Sequence, residues 1–132
     1  MNRISPIIVV DDDEDDRLLL MEAFQSIGYD VNVAFKETAI EILEELDRLL
    51  PFEFPSLIVL DYNMPGDNGL ETLKKIKQNP FICHIHVLIF SISISAEVEK
   101  QLKKEGALVC LTKGSSIEKL KEQANYFKEL IC

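Results

Sequence analysis

No apolar run in this 132-residue sequence approaches the roughly 20 residues that a bilayer-crossing helix needs. The N-terminus also lacks the apolar stretch after a basic start that marks a secretory signal. Both absences predict a cytoplasmic protein with no membrane contact. Basic residues are few: 14 Lys and Arg face 23 Asp and Glu, for a formal net charge of −9, and they gather into no stripe. Nucleic-acid phosphates would be repelled, so direct nucleic-acid binding is not expected and any DNA output needs a partner. Cysteine is scarce and odd in number. Cys83, Cys110 and Cys132 are widely spaced without a metal-knuckle pattern, which predicts free reduced thiols rather than a disulfide or a zinc site.

What remains, at 47% hydrophobic content, suits one compact domain over residues 1–132. Two short apolar runs organise it. Leu57-Ile58-Val59-Leu60 is too short for a helix and ends in Asp61, with a Pro-Gly turn at Pro65. Ile7-Ile8-Val9-Val10 has the same design and ends in Asp11 and Asp12. Both read as buried parallel strands that deliver acids to their carboxyl ends, where α/β sheets keep their sites.

Between and after them, strands and helices alternate with short joins. Glu14 to Ile27 reads as a helix burying Leu18, Leu20, Met21, Phe24 and Ile27, closed by Gly28. Val31, Val33 and Phe35 alternate as an outer strand would, and Ala39 through Leu50 has helical spacing up to Pro51. Residues Pro51 to Pro55 read as a loop, and Leu49-Leu50-Pro51-Phe52 as the end of a core helix rather than a surface patch. Asn68 and Glu71 have capping spacing for a helix that stops before Asn79-Pro80. Ile85 to Ser91 is a fourth strand, and a charged helix with Val98 and Leu102 closes at Gly106. Leu108 to Thr112 is a fifth strand. The final helix opens on Ser115 with Glu118 and buries Ile117, Leu120, Ala124, Phe127 and Ile131. Five βα units with right-handed crossovers predict an α/β, flavodoxin-like, doubly wound parallel sheet of order 2-1-3-4-5, with helices on both faces.

That order gathers the chemistry. Asp11, Asp12 and Asp61 end neighbouring strands about 5 Å apart. Two such charges at 4 Å repel by about 4 kcal/mol at an effective dielectric near 20, so something positive belongs among them. Mg2+ suits an all-oxygen site shared with water and phosphate oxygens. Lys113 and Ser91, at later strand ends, add a cation and a hydroxyl. The set suits an aspartyl phosphate, with Asp61 as nucleophile, Mg2+ and Lys113 neutralising the phosphoryl oxygens, and Ser91 bonding one of them. Plainer readings stand beside this one. The run Asp11 to Asp16 also suits a solvated acidic helix N-terminus. His84 and His86 could pair on a metal, but near the start of their strand, at the rim away from the acids.

In this order and spacing, Val9-Val10-Asp11-Asp12, Leu60-Asp61-Tyr62-Asn63-Met64-Pro65 with Gly69, Ser91 and Lys113 resemble the receiver domain of two-component response regulators. The resemblance implies Asp61 as phosphoacceptor and Asp11 and Asp12 as the metal-binding pair. It implies the Asn63 backbone carbonyl as a further metal ligand, Ser91 as the recruited hydroxyl and Lys113 as the family lysine. It implies a Mg2+-dependent signalling phosphoacceptor with slow self-dephosphorylation rather than an enzyme. A sensor histidine kinase or histidine phosphotransfer protein would donate the phosphoryl group. With the chain stopping after the fifth helix, no effector domain is expected, and output would pass by binding an unnamed target protein or by phosphorelay.

The sequence departs from that pattern at four places. Gly114 follows the lysine where proline is usual, Cys110 replaces an aromatic switch residue, Ile92 is bulky where a small residue is common, and Asn68 stands where aspartate is frequent. With glycine at 114, which also frees the backbone to take a positive φ, a trans Lys113–Gly114 bond is expected, with Lys113 still directed into the acids. Two other classes remain open. One is a phosphatase of the haloacid dehalogenase type, whose second acid would fall at Asn63. The other is an interaction module on the same fold that is never phosphorylated.

Overall fold

The computed structural model describes residues 5–131. Its strands are β1 (Ile7–Val10), β2 (Val33–Lys36), β3 (Leu57–Leu60), β4 (His86–Ser91) and β5 (Val109–Thr112). Its helices are α1 (Glu14–Ser26), α2 (Ala39–Arg48), α3 (Gly69–Gln78), α4 (Ala96–Lys104) and α5 (Ile117–Leu130). All four strand pairings are parallel, and the order is β2-β1-β3-β4-β5, as the alternation predicts. β1 and β3 are buried along their whole length, because helices cover both faces of the sheet.

Side-chain alternation divides the core in two. Ile8, Val10, Ile58, Leu60, Val87 and Ile89 point toward α2, α3 and α4, where Ile42, Leu73, Ile76 and Leu102 meet them. Ile7, Val9, Leu57, Val59, Leu88 and Phe90 face α1 and α5. There Phe127 packs edge-on against Phe90, with ring centroids 5.2 Å apart, and truncating such a ring to alanine costs about 3–5 kcal/mol. This second layer fixes α1 against α5.

Several expectations are corrected. Leu18 is 60% exposed, and Ala23 joins Leu20 and Phe24 in the core instead. At 100° per residue, Leu18 lies on the far side of α1 from Leu20. Val31 is exposed in a 3-10 turn, Asp30–Asn32, so the outer strand starts at Val33. α2 ends at Arg48, since a residue before proline is driven out of the helical region, and Leu50 and Phe52 are exposed around a 3-10 turn, Pro51–Glu53. They belong to the surface. Ile85 is buried but precedes β4, and Leu108 precedes β5. The N-cap of α5 is Ser116, whose hydroxyl accepts from the Lys119 N–H at 3.2 Å, in place of Ser115, and Ile117 and Ile131 are only half-buried. Asn68 does cap α3, accepting from the Glu71 N–H at 3.0 Å.

Candidate functional site

The site begins one residue beyond the strands. Val10 pairs with Leu60, and the ladder continues as the Asp61 N–H donates to the Val10 carbonyl at 3.0 Å and the Asp11 N–H to the Lys36 carbonyl at 3.0 Å. Asp11 and Asp61 are thereby carried to one rim, both buried, with Asp12 exposed beside them. One carboxylate oxygen from each of the three lies within 4.8 Å of the others. Across the sheet, Ser91 pairs with Thr112, and the Lys113 N–H donates to the Ser91 carbonyl at 2.8 Å. The same rim therefore receives a buried hydroxyl and a lysine.

Each buried acid divides its oxygens. Asp11 Oδ1 accepts from the Asp13 N–H at 3.0 Å, and Asp61 Oδ1 from the Asn63 N–H at 3.2 Å. Their Oδ2 atoms face Lys113 Nζ at 2.7 Å and 3.3 Å. The third partner of the ammonium is Asp16, at 2.7 Å. Sequence reasoning passed over Asp16 within the acidic run. It also passed over Arg17, whose Nη1 donates to the Asp11 carbonyl at 2.8 Å and ties α1 to the end of β1. Asp16 lies three residues past the N-cap Asp13, a helical spacing visible in sequence, but nothing local shows that a lysine waits on that side.

Burial pushes the Asp61 carboxyl up to about 6, and the Asp11 charge adds to this, while Lys113 and the Asn63 N–H pull the other way. For Lys113, burial works against the charge. Its bonds to Asp11 and Asp16 outweigh that burial and hold the ammonium above the ordinary lysine range. The rim sets the carboxyl groups of Asp11, Asp12, Asp16 and Asp61 against the single Lys113 ammonium, an excess of acid that leaves room for a cation. The side-chain donors of the trio are all carboxylate oxygens, and they open on a cleft of about 480 Å³ lined by Asp12, Asp61, Asn63, Ser91, Ile92 and Lys113. Hard oxygen ligands with space for water fit Mg2+.

Asn63 Nδ2 reaches Ser91 Oγ at 3.4 Å, which brings the loop after Asp61 onto the hydroxyl of β4. Among the described residues no peptide bond is cis, so the Lys113–Gly114 bond is trans as expected. Gly114 does not take a positive φ, and its small size is needed for another reason: a Cβ there would lie 2.8 Å from Lys119 Cγ. His84 and His86 are exposed at the start of β4, and the Asp trio is the sole three-ligand group among the described residues. Cys83 and Cys110 are free thiols, and Cys132 lies outside the described residues. No described helix is long and apolar enough to cross a membrane.

Comparison with known proteins bears on this geometry. The family model described as the response regulator receiver domain matches residues 7–125. Sporulation initiation phosphotransferase F of Bacillus subtilis is 30% identical over 94% of this chain and 94% of its own length. Chemotaxis protein CheY-3 of Vibrio cholerae is 26% identical over 93% of this chain and 91% of its own. The fold is similar to that of the phosphorylated cyanobacterial phytochrome response regulator RcpA, with a TM-score of 0.84 at 24% identity over 98% of this chain and 94% of that one. A structure of the Mn(2+)-bound form of response regulator Rcp1 superposes with a TM-score of 0.78 at 25% identity over 93% of this chain and 91% of that one.

Proposed function

Since this chain belongs to the response regulator receiver domain family, we propose that it accepts a phosphoryl group on Asp61 in a Mg2+-dependent reaction. The donor is a phosphohistidine on a sensor kinase or a histidine phosphotransfer protein. The observation that carries the reading is the meeting of a buried strand-end carboxylate with Lys113 Nζ at 3.3 Å, beside two further acids within reach of one cation. Asp11, Asp12, Asp61 and the Asn63 backbone carbonyl are the residues that would hold Mg2+. When bound, the ion draws charge from the phosphoryl oxygens.

The chain's own groups do the rest. With a pKa pushed to about 6, Asp61 is ionised at neutral pH and its oxygen lone pair is available. An O–P bond forms to Asp61 as the P–N bond of the donor breaks, and the electron pair of that bond leaves with the imidazole nitrogen. Lys113 meets negative charge on the transferred group, and the Ser91 hydroxyl donates to one of its oxygens. Slow hydrolysis of the acyl phosphate resets the site, and the chain works as a cytoplasmic signalling module rather than a turnover enzyme. Output passes by binding a target protein or by relay to another histidine. The match to a sporulation phosphotransferase over 94% of that protein's length supports relay as one route of output.

The test is to incubate the protein with acetyl phosphate and Mg2+ and weigh it. A single added phosphoryl group, absent in Asp61→Asn, is the expected result. Continuous release of phosphate at catalytic rates would support the phosphatase reading, and no adduct on the wild type would support a module that is never phosphorylated.

A further inference from the structure

We propose that Asp16 is a positioning residue that keeps the Lys113 ammonium over Asp61 once Asp11 is engaged by a cation. The inference deepens the receiver reading and rests on it. An ammonium has three N–H donors, and here each has its own carboxylate: Asp11, Asp16 and Asp61. Two of those three acids also belong to the group that can hold a metal ion; Asp16 does not. A divalent cation drawn to Asp11 and Asp61 competes with the lysine for their charge and repels it directly. Asp16 is the one acceptor left to it.

The geometry suits that task. Asp16 sits in the first turn of α1, whose start is fixed by the Asp13 side chain accepting from the Asp16 N–H at 3.0 Å. Lys113 lies 97 residues away on the join between β5 and α5, and the two helices are packed together through Leu20, Phe24, Leu120 and Phe127. The Lys113 side chain is only 9% exposed and that of Asp16 28%, so solvent screens the pair poorly. Arg17, the other cation nearby, is committed to the Asp11 carbonyl and to Glu37 and offers no substitute. Without Asp16, a cation at Asp11 would send the ammonium toward solvent, and the phosphoryl oxygens would lose their fixed positive partner.

The experiment follows the Lys113 ammonium by NMR in 15N-labelled full-length protein, whose Nζ signal survives only while its protons are held from exchange. Magnesium chloride alone is titrated to saturation, judged by the Asp12 amide shift, into wild type, Asp16→Asn, Asp16→Glu and Glu22→Gln. Asp16→Asn is near-isosteric and leaves the Asp13 cap in place, and Glu22→Gln removes one exposed charge elsewhere on α1. Wild type and Glu22→Gln should keep the Nζ signal at saturation, Asp16→Asn should lose it, and Asp16→Glu should recover it in part. Asp16→Asn should also take up phosphate from acetyl phosphate about tenfold more slowly at saturating Mg2+, as the loss of a charge-assisted hydrogen bond implies. An Nζ signal that persists in Mg2+-loaded Asp16→Asn, or that disappears in Mg2+-loaded wild type, overturns the proposal. A wild type that takes up no phosphate overturns the receiver reading while the Nζ measurement still decides the role of Asp16. Wild type that binds no Mg2+ overturns both.

Discussion

The Gly114 N–H donates to Gln123 Oε1 at 2.8 Å, and Gln123 Nε2 returns a hydrogen bond to the Thr112 carbonyl at 2.7 Å. One side-chain amide on α5 thus clasps the backbone on both sides of Lys113. The clasp needs an N–H at position 114 and almost no side chain, because a Cβ there would lie 2.9 Å from Gln123 Oε1 and 2.8 Å from Lys119 Cγ. Gly114→Pro removes the donor and adds a ring, and should lower stability by about 2–3 kcal/mol, whereas Gln123→Ala should lower it by about 1 kcal/mol. Urea unfolding measures both. A proline variant as stable as wild type would show that the clasp contributes nothing.

A second close approach lies behind the nucleophile. A Cβ on Gly69 would stand 2.7 Å from Tyr62 Cα and 3.0 Å from the Asp61 carbonyl oxygen, and both are backbone atoms. The Gly69 N–H also donates to the Tyr62 carbonyl at 2.8 Å. Gly69→Ala should therefore displace the loop after β3, at a cost of about 1–3 kcal/mol, and weaken Mg2+ binding. Denaturation and Mg2+ titration by calorimetry check this, and an alanine variant unchanged in both contradicts the contact.

Asp61 gives the metal-free protein a definite pH dependence. Its carboxyl is raised from an ordinary 3.8 to about 6, with burial the largest cause, so between about pH 4 and 6 the folded state binds more protons than the unfolded one. Stability then falls as pH rises through that window, and the penalty is complete above it. Asp61→Asn should be more stable than wild type at pH 7 by roughly 1–3 kcal/mol, and the gain should vanish near pH 4. The same variant should accept no phosphate. Urea midpoints at the two pH values, without Mg2+, decide the sign.

Ile92 stands on the lip of the cleft, 69% exposed, among the residues that line it. Its branched side chain narrows the approach to Asp61 more than a methyl group would. Acetyl phosphate should phosphorylate Ile92→Ala severalfold faster than wild type. Equal initial rates at saturating Mg2+ would remove Ile92 from the account of access.

Cys110 is half-buried in β5 and too small to swing between a buried and an exposed position as an aromatic ring can. Phosphate contacts at Ser91 then have their direct path along the end of β4 and into the start of α4. Amide shifts on phosphorylation should cluster from Ser91 to Val98. Changes restricted to α1 and α2 would contradict that route.

The sheet and the acidic rim were readable from residues 7–12 and 57–61 because a strand buried on both faces needs an uninterrupted apolar run, and Asp61, which ends such a run before a turn, has no helix N-terminus to explain it as Asp11 and Asp12 do. Ser91 followed from the same rule applied to β4, and Lys113 from its place at the end of the next, edge strand β5, which is only half-buried. Elsewhere local pattern left equivalent choices. Ser115 and Ser116 are both good caps by chemistry, and the folded chain uses Ser116, with Leu120, Ala124 and Phe127 turned into the core shared with α1 and the sheet. Leu18 and Leu20 have the same chemistry, and only the docking of α1 on α5 chose which one is buried. Asp16 was one acid in a run that a helix N-terminus favours anyway, and Gln123 one polar residue on a helix. Their partners, Lys113 and the backbone at Thr112 and Gly114, are set by how α1, β5 and α5 pack together. Strand identity is a property of residues a few positions apart, which the chain carries in its order. The partner of a charge is a property of three-dimensional proximity between distant segments, which exists only once those segments have packed.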